Sequence, residues 1–394
     1  MKTYCRDTWI EIDLDAIRAN VTSLRNHLSE KTAIMAVVKA DGYGHGAVQV
    51  AREALAAGAS ELAVAMIDEA ILLRNAGITA PILVLGYTPI DSIRQARKHD
   101  VQLTVYHSEW IRQASEICQQ ESSDLPDLRI HLKLDTGMGR IGIRETEDLL
   151  AIVELLQQSP LLQWSGIFTH FACADEEDLT HVRAQHDRFQ EMLSVLRDAG
   201  YSLPRVHCCN SAAAIAFPEW GYDLVRFGIG LYGLYPSAHI KRLGIIELHS
   251  ALSLKTRITH LKRMPYPYTV SYGATYTAGS NELIATLPIG YADGFSRNLS
   301  NRGTVLHNGQ RASVVGNVCM DQMMVRLEDN EAEVGDEVVV YGKQGDEEVS
   351  LDEVAQLLGT INYEVACMLN ARMPRVYLRD GRIVEIYQRT QCKC

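Results

Sequence analysis

Long apolar runs are missing from this chain of 394 residues. No stretch approaches the ~20 apolar residues that a membrane-spanning helix needs. The first residues, 1–7, also lack the apolar segment of a secretory signal peptide. Basic residues are in the minority, with 38 Lys and Arg against 49 Asp and Glu, which gives a net charge of −11. We therefore expect a cytoplasmic protein that binds neither membranes nor nucleic acid.

Cysteines with the spacing of a metal site are also missing. The nine cysteines are scattered and odd in number, which favours reduced thiols and no metal centre. Cys208 and Cys209 are adjacent, and Cys392 and Cys394 stand in a short polar tail that we expect to be disordered. No internal repeat or low-complexity segment is visible.

What is present is an alternation of strand-like and helix-like segments from residue 33 to about residue 230. The predicted strands are Ala33–Val38, Glu61–Ala65, Ile82–Leu85, Val101–Val105, Arg129–Leu134, Trp164–Phe168, Arg205–Cys208 and Leu224–Phe227. The predicted helices between them include Ala47–Ala57, Asp68–Ala76, Glu109–Cys118, Leu149–Gln157 and His181–Ala199. Eight strands with intervening helices, within the usual span of ~250 residues, predict a (β/α)8 TIM barrel of the α/β class. The alternative is an open doubly wound sheet, but the glycines of 42–46 lack the dinucleotide-binding spacing.

The sequence on either side of this region has a different texture. Residues 9–14 alternate like a half-exposed strand, and a helix with Ile17, Val21, Leu24 and Leu28 on one face follows. After Leu243, short alternating runs broken by glycine predict a mostly β domain with one helix, Leu351–Leu358. These runs are Leu254–Leu261, Leu283–Leu287, Ala312–Val315, Met323–Leu327 and Glu337–Tyr341. We expect a barrel domain over 1–243, whose first strand packs with the second domain, and a β domain over 244–394.

Lys39 follows the first predicted barrel strand and precedes a glycine-rich segment. Burial disfavours the charged form of a lysine, and the neutral amine can attack a carbonyl to form a Schiff base. A single lysine at a strand end is more often an ordinary surface residue. The glycines after it allow backbone to approach a ligand closely.

Other polar residues follow the ends of later strands, where the active sites of barrel enzymes lie. They are Lys133, Asp135, Arg140, His170, Asn210, Ser211 and Arg226. Ser211 and the backbone N–H groups near Gly228 and Ile229 follow strands seven and eight, and they suit a phosphate. A phosphate site beside a Schiff-base lysine points to pyridoxal 5'-phosphate.

Each of these residues also has a purely structural interpretation. His170 could be a hydrogen-bonded core histidine, Arg226 could pair with a structural carboxylate, and Asn210 could cap a helix. In the strand containing Lys133, the polar residues share the face that points into the barrel. A buried ammonium there could pair with Asp135, lose its proton, or be carbamylated by carbon dioxide and then orient Arg140.

At these residues the chain resembles the alanine racemase family. The matching segments of the first domain are 36–46, which contains Lys39, then 133–142, 169–171, 210–212 and 225–229. Those of the second domain are 270–273, 290–294, 319–322 and 361–364. The resemblance implies a barrel followed by a β domain, working as a homodimer on a small amino acid. It implies interconversion of L- and D-alanine, which supplies D-alanine for peptidoglycan.

The resemblance also implies roles for individual residues. Lys39 is expected to carry pyridoxal phosphate and to act with Tyr272 as one of two catalytic bases. The residues expected to contact the cofactor are Tyr43, His170, Asn210, Ser211, Arg226, Gly228, Ile229 and Tyr363. Arg226 is expected to face the pyridine nitrogen.

Substrate contacts are expected from Arg140 and Met320, with support from Lys133, Tyr291 and Asp321. Tyr272 and Met320 are expected to come from the partner subunit. Asn317 departs from the family pattern, since an arginine is common at this position, and this affects the expected charge of the entrance. The competing functions are a broader racemase that accepts serine, a pyridoxal-phosphate amino-acid decarboxylase, and a non-enzymatic cofactor-binding protein. The missing triple-glycine motif and the presence of Tyr272 disfavour the last two.

Overall fold

The structure is a computed structural model that describes residues 5–121, 124–328 and 331–388. Cys392 and Cys394 lie outside the described residues. The chain forms two compact units. The barrel unit contains Ile17–Gly42 and Ala47–His249, and the β unit contains the chain up to Ala16, the segment Tyr43–Gly46 and the chain from Ser250 onward. No helix in the described ranges is both long enough and apolar enough to cross a membrane.

Eight parallel strands make up the barrel, in the order β8-β7-β6-β5-β4-β3-β2-β9. They are β2 (Ala33–Val37), β3 (Glu61–Val64), β4 (Ile82–Val84), β5 (Gln102–Val105), β6 (Leu128–Lys133), β7 (Leu162–Phe168), β8 (Arg205–His207) and β9 (Leu224–Phe227). The backbone N–H groups of Asp223 and Arg226 donate to the carbonyl oxygens of Val206 and Cys209, at 3.2 and 3.0 Å. These bonds join the first and last strands of the sheet. The predicted barrel is confirmed, and each predicted strand end lies within two residues of the observed one.

Helices lie before, between and after the strands of the barrel. They are α1 (Leu14–His27), α2 (Lys39–Tyr43), α3 (Ala47–Ala56), α4 (Ile67–Asn75), α5 (Ile93–Lys98), α6 (Ser108–Gln120), α7 (Thr146–Gln157), α8 (Thr180–Asp198), α9 (Ser211–Ala216) and α10 (Ala238–Leu243). The segment labelled α2 is a left-handed turn rather than an ordinary α-helix. The predicted apolar face of α1 is buried at Ile17, Val21, Leu24 and Leu28. The helices α5, α9 and α10 were not predicted, because six residues are too few to show a 3.6-residue period.

The β unit is built on one large sheet in the order β11-β14-β17-β16-β15-β18-β10-β1-β20-β21. Its strands are β1 (Thr8–Asp13), β10 (Leu252–Arg257), β11 (His260–Met264), β14 (Glu282–Leu287), β15 (Thr304–His307), β16 (Gln310–Val314), β17 (Met323–Leu327), β18 (Glu337–Gln344), β20 (Arg375–Arg379) and β21 (Arg382–Tyr387). The short strand β19 (Glu347–Val349) pairs with β18, and β12 (Thr269–Val270) pairs with β13 (Tyr276–Thr277) in a separate hairpin. Two helices, α11 (Leu351–Leu358) and α12 (Asn362–Met368), follow β19.

Two details of this sheet differ from the sequence prediction. The run Leu254–Leu261 is two strands, because the chain crosses at Ile258 and Thr259, whose N–H groups donate to different neighbouring strands. The predicted half-exposed strand buries its Ile10 and Ile12 face, as expected, and has half-buried Glu11 and exposed Asp13 on the other face; it differs from the prediction at Trp9, which is only 4% exposed. It lies between β10, with which it pairs antiparallel, and β20, with which it pairs parallel.

Candidate active site

A left-handed turn follows Lys39 at the carboxyl end of β2. Ala40, Asp41, Gly42 and Tyr43 have φ angles of 53°, 52°, 62° and 50°. Residues other than glycine visit this region as single residues, because Cβ then approaches the following carbonyl oxygen. Four consecutive left-handed residues are therefore strained, and strain of this kind collects at functional sites.

Side chains and backbone groups of the barrel unit hold this turn. The N–H of Gly42 donates to the carbonyl oxygen of Val38 at 2.9 Å. The Asp41 carboxylate accepts from the N–H of Ala47 at 3.0 Å, and the Glu69 carboxylate accepts from the N–H of Ala40 at 2.6 Å. The residue after Lys39 is thus fixed, which fixes the direction in which the lysine leaves the strand.

Arg226 lies inside the barrel and is 3% exposed. Its Nη1 donates to His207 Nδ1 at 2.8 Å, and its Nη2 donates to the carbonyl oxygens of Thr169 and Cys208, each at 2.8 Å. A longer Nη2 bond of 3.2 Å reaches His170 Nδ1. Burial lowers the Arg226 pKa to about 10, so the group stays cationic near neutral pH. Within the part of the chain that the structure describes, these bonds use only Nη1 and Nη2, which leaves the Nε–H for another acceptor.

A directional chain of hydrogen bonds supports Arg226. Because arginine can only donate, His207 Nδ1 must be an acceptor and its Nε2 must carry the proton. That Nε2–H donates to His131 Nδ1 at 3.0 Å, and His131 Nε2 then donates to Gln102 Oε1 at 2.6 Å. Burial, followed by the charges of Arg129 and Arg226, lowers the His131 pKa to about 3. The sequence analysis missed Gln102, His131 and His207; alternation along β5, β6 and β8 was the available signal, since it places them on the inner face.

Several cationic side chains lie near His170 at this rim of the barrel, and they influence its pKa. Burial lowers its pKa well below the usual value, and the charges of Arg226, Lys133, Arg140 and Lys39 lower it further. The structure therefore brings these predicted residues together in the barrel unit. Although the whole chain carries a net charge of −11, this rim is positively charged and suits anionic groups such as phosphate and carboxylate.

Lys133 is 3% exposed and lies 5.2 Å from the centre of the Phe168 ring. Its Nζ donates to the carbonyl oxygen of Leu134 at 2.7 Å. Burial and the charge of Arg226 lower the Lys133 pKa to about 7. The Asp135 carboxylate accepts from the N–H groups of Gly137 and Gly139, at 3.1 and 3.0 Å. Of pairing, proton loss and carbamylation, proton loss fits this environment, and a neutral amine is also the form that can attack carbon dioxide.

Asn210 and Ser211 stand at the start of α9, after β8. The Asn210 side chain accepts from the N–H of Ala213 at 3.0 Å, so the helix-capping interpretation is confirmed. The Ser211 hydroxyl accepts from the N–H of Gly228 at 2.8 Å and of Gly230 at 3.4 Å. The loops after strands β8 and β9 therefore meet at this hydroxyl, beside Ile229.

Tyr43 and Tyr363 meet in the β unit, with ring centres 6.2 Å apart. Gly44 allows this approach, since a Cβ at that position would lie 2.5 Å from the carbonyl oxygen of Ala366 in α12. The Arg375 side chain donates to the carbonyl oxygen of Gly44 at 3.0 Å. The segment after Lys39 is thereby packed against the helix that carries Tyr363.

Tyr272, Tyr291 and Met320 are large and exposed, at 73%, 42% and 54%. The N–H of Tyr291 donates to the carbonyl oxygen of Cys319 at 3.1 Å, which ties the Tyr291 turn to the loop of Met320. The neighbouring Asp321 pairs with Arg372 at 2.7 Å.

Comparison with known proteins decides the family. The model of the alanine racemase N-terminal domain matches residues 12–236, and that of the alanine racemase C-terminal domain matches residues 251–377. The chain belongs to the alanine racemase family. It is 56% identical to alanine racemase 2 of Bacillus subtilis, over 97% of each chain. It is 49% identical to an alanine racemase of Geobacillus stearothermophilus, over 98% of this chain and 97% of the relative.

A solved structure extends the comparison to three dimensions. The alanine racemase of Bacillus anthracis with bound L-Ala-P is 44% identical, covers 98% of this chain and 99% of its own, and has a TM-score of 0.94. The sequence prediction of the family is confirmed, as is the predicted order of barrel and β domain.

The residues of the barrel rim fit the cofactor of an alanine racemase. Lys39 supplies an amine at a fixed strand end, and Arg226 offers its Nε–H for a ring nitrogen. The Ser211 hydroxyl can donate to a phosphate. Because the N–H groups of Gly228 and Gly230 donate to Ser211, the backbone donor that 228–230 keeps for a phosphate is the N–H of Ile229. The surrounding cations favour an anionic ligand, and nothing in this donor set disagrees with pyridoxal phosphate.

Proposed function

We propose that this chain is a pyridoxal-phosphate enzyme that interconverts L- and D-alanine in the cytoplasm and supplies D-alanine for peptidoglycan. One observation supports this most directly. A lysine at a fixed strand end shares a cationic rim with a buried arginine, and that arginine keeps its Nε–H for a ligand. As a division of the sequence we keep a cofactor domain over 1–243 and a β domain over 244–394, with β1 of the first segment pairing with β10 and β20 of the β unit.

Each residue of the rim has a place in the proposed cofactor site. Lys39 bonds covalently to the cofactor. Ser211, Gly228 and Ile229 hold the phosphate, as do Tyr43 and Tyr363 by family resemblance. The Arg226 Nε–H would donate to the ring nitrogen of the cofactor. His170 supports the ring through its bond to Arg226, and Asn210 places Ser211 by capping α9.

When bound, the cofactor withdraws electrons from the substrate's α-carbon and so makes its proton removable. Inversion then needs one base on each face of that carbon. Lys39 removes the proton of D-alanine and Tyr272 that of L-alanine, and in each case the other residue returns a proton. A tyrosine acts as a base only as its phenolate, and neighbouring cations favour that form.

The remaining predicted residues bind and enclose the substrate. The Arg140 cation binds the substrate carboxylate, and Lys133 orients it. Met320 and Tyr291 restrict the pocket to a small side chain, and the ion pair of Asp321 with Arg372 supports the Met320 loop. Tyr272 and Met320 come from the partner subunit of a homodimer, which would cover these exposed side chains.

Serine is the nearest competing substrate, since one added hydroxyl changes binding by only about 1–3 kcal/mol in a pocket of this kind. A pyridoxal-phosphate decarboxylase and a non-enzymatic cofactor carrier are competing functions. Neither needs a second base opposite the lysine, so Tyr272 favours the racemase.

The deciding experiment is an absorbance spectrum of the purified protein, followed by conversion of L-alanine to D-alanine without added cofactor. We expect cofactor absorbance and turnover, and we expect Lys39→Ala to lose both. Absorbance without racemisation would contradict the proposal, and carbon dioxide release from basic amino acids would then be assayed. Tenfold faster turnover of serine than of alanine would contradict the substrate alone.

A further inference from the structure

The backbone immediately before Tyr272 is strained. Ser271 has φ 68° and ψ −178°, a combination that is essentially restricted to glycine. The strain continues after the tyrosine, where Gly273 and Ala274 have φ angles of 70° and 46°. A serine keeps such a conformation only where its surroundings impose it.

Asn317 contacts both residues at this point through two different groups. Its main-chain carbonyl oxygen accepts from the Ser271 hydroxyl at 2.5 Å. Its side-chain Nδ2 donates to the main-chain carbonyl oxygen of Tyr272 at 2.7 Å. The Ser271 hydroxyl also lies 3.4 Å from Cys319 Sγ. One asparagine therefore bridges the strained serine and the tyrosine that follows it.

Other groups hold the flanks of this turn. Val270 is 3% exposed and packs in an apolar cluster with Ile284 and Val315. Asn301 accepts from the N–H of Gly316 at 2.6 Å and donates to the Thr275 hydroxyl at 3.1 Å. These contacts fix the two ends of the turn, whereas the Asn317 amide acts on its centre.

Tyr272 itself does little to fix its own position. Its side chain is 73% exposed, so packing within its unit restrains it weakly. A catalytic base must be held within about 0.5 Å of its working position, and small displacements cost large factors in rate. The bond to its carbonyl oxygen is therefore well placed to matter for catalysis.

We propose that Asn317 is a positioning residue for the catalytic base Tyr272, holding a strained backbone that would otherwise relax. This inference rests on the proposed function, in which Tyr272 serves the L-face. The Asn317 side chain acts through one N–H···O bond to the Tyr272 carbonyl oxygen. Removing that donor should therefore move Tyr272 without disturbing the cofactor site.

The test compares Asn317→Leu and Asn317→Asp with wild type as purified holoenzyme. Both variants are close to asparagine in size and lack the donor, and the aspartate also turns a carboxylate towards a carbonyl oxygen. Gln310→Glu, on exposed β16, is the matched charge control. We expect kcat/KM to fall about tenfold for Asn317→Leu and further for Asn317→Asp, with cofactor absorbance and dimer mass unchanged.

Two further readouts separate positioning from a general structural defect. Using alanine deuterated at Cα, we expect the primary isotope effect on kcat/KM to rise for L-alanine and to fall for D-alanine, because only the tyrosine step has slowed. We also expect faster hydrogen–deuterium exchange over 270–276 in Asn317→Leu. A loss of rate with both isotope effects unchanged would overturn the inference.

Ser271→Gly completes a double-mutant cycle, since glycine adopts the observed angles without strain. Asn317→Leu should cost less in the Ser271→Gly background than in wild type, and equal cost would overturn the inference. Wild type and Tyr272→Phe are measured first. If wild type racemises and loses this activity in Tyr272→Phe, unchanged Asn317 variants overturn the inference alone. Failure of wild type to racemise would overturn the proposed function and this inference with it.

Discussion

Arg226 and Tyr272 represent two ways of holding a functional side chain. Arg226 is 3% exposed, and its bonds to two carbonyl oxygens and His207 fix it within the barrel. Tyr272 is 73% exposed and stands in a strained turn that Asn317 bridges. The cofactor-facing half of the proposed site is thus prepared within one unit, whereas the second base depends on a surface loop. This difference agrees with the proposal that two subunits share each site.

Replacing the exposed base should give the largest effect on turnover. In Tyr272→Phe we expect kcat/KM to fall about 10³-fold, the size of a lost general base. The fall must be equal in both directions, because L- and D-alanine have equal free energies in water. Cofactor absorbance should remain, since the barrel unit is untouched. The measurement is racemisation from each enantiomer, with the spectrum as control.

The same variant can show which face has lost its base. In D2O, we expect Tyr272→Phe to exchange the Cα proton of D-alanine without inversion, because Lys39 still removes it. Deuterium entering L-alanine at the wild-type rate would contradict the assignment of Tyr272 to the L-face. Loss of cofactor absorbance would instead make Tyr272 a structural residue.

Substitution of Arg226, in the buried half of the site, should alter the ratio of transamination to racemisation as well as the rate. Arg226 holds its proton tightly and should leave the pyridine nitrogen unprotonated. In Arg226→Glu, a carboxylate would keep that nitrogen protonated and strengthen electron withdrawal. We expect racemisation about 10²-fold slower, with a larger share of transamination, measured as pyruvate formed per inversion.

Controls for this variant are needed because the position is buried. A glutamate would meet the carbonyl oxygens of Thr169 and Cys208, which now accept from Arg226. Arg226→Lys keeps the positive charge but lacks the forked guanidinium. We therefore expect it to racemise alanine more slowly, with little gain in transamination. An Arg226→Glu enzyme that folds, holds cofactor and partitions like wild type would refute this account of the ring nitrogen.

The comparison also shows what the sequence could and could not predict. The barrel strands were predictable because most are short, mainly apolar runs, and residues after parallel strands must meet at one rim. The support of Arg226 by His131 and Gln102 was not, because pairing between strand faces depends on register across β5, β6 and β8. Periodicity likewise carries no sign of a positive φ at a serine, so the strain at Ser271 appears only in three dimensions.

Substitution of Lys133 should have the smallest effect of these changes. It measures how much the burial of this lysine in the barrel lowers the free energy of unfolding. Its pKa is about 7 in the folded chain against a usual value of 10.5. Between these values the unfolded chain binds more protons, so the free energy of unfolding rises with pH across that window. Below pH 7 the amine is protonated in both states, so the folded chain bears the full cost of burying its charge. Lys133→Met should therefore be more stable than wild type at pH 6, with the difference shrinking towards pH 10, as measured by urea unfolding of the holoenzyme.

Carbamylation would change the sign of this comparison. A carbamate makes residue 133 an anion among the cations Arg226 and Arg140, so bicarbonate should then stabilise wild type and leave Lys133→Met unaffected. Lys343→Met, at a side chain 74% exposed, is the matched control and should show neither effect. A 13C signal of a carbamate with labelled bicarbonate would identify the modification directly. If the free energy of unfolding depends equally on pH in wild type and Lys133→Met, in buffer free of carbon dioxide, burial of this lysine does not destabilise the fold. The interior of the barrel would then be better solvated than the low exposure of Lys133 implies.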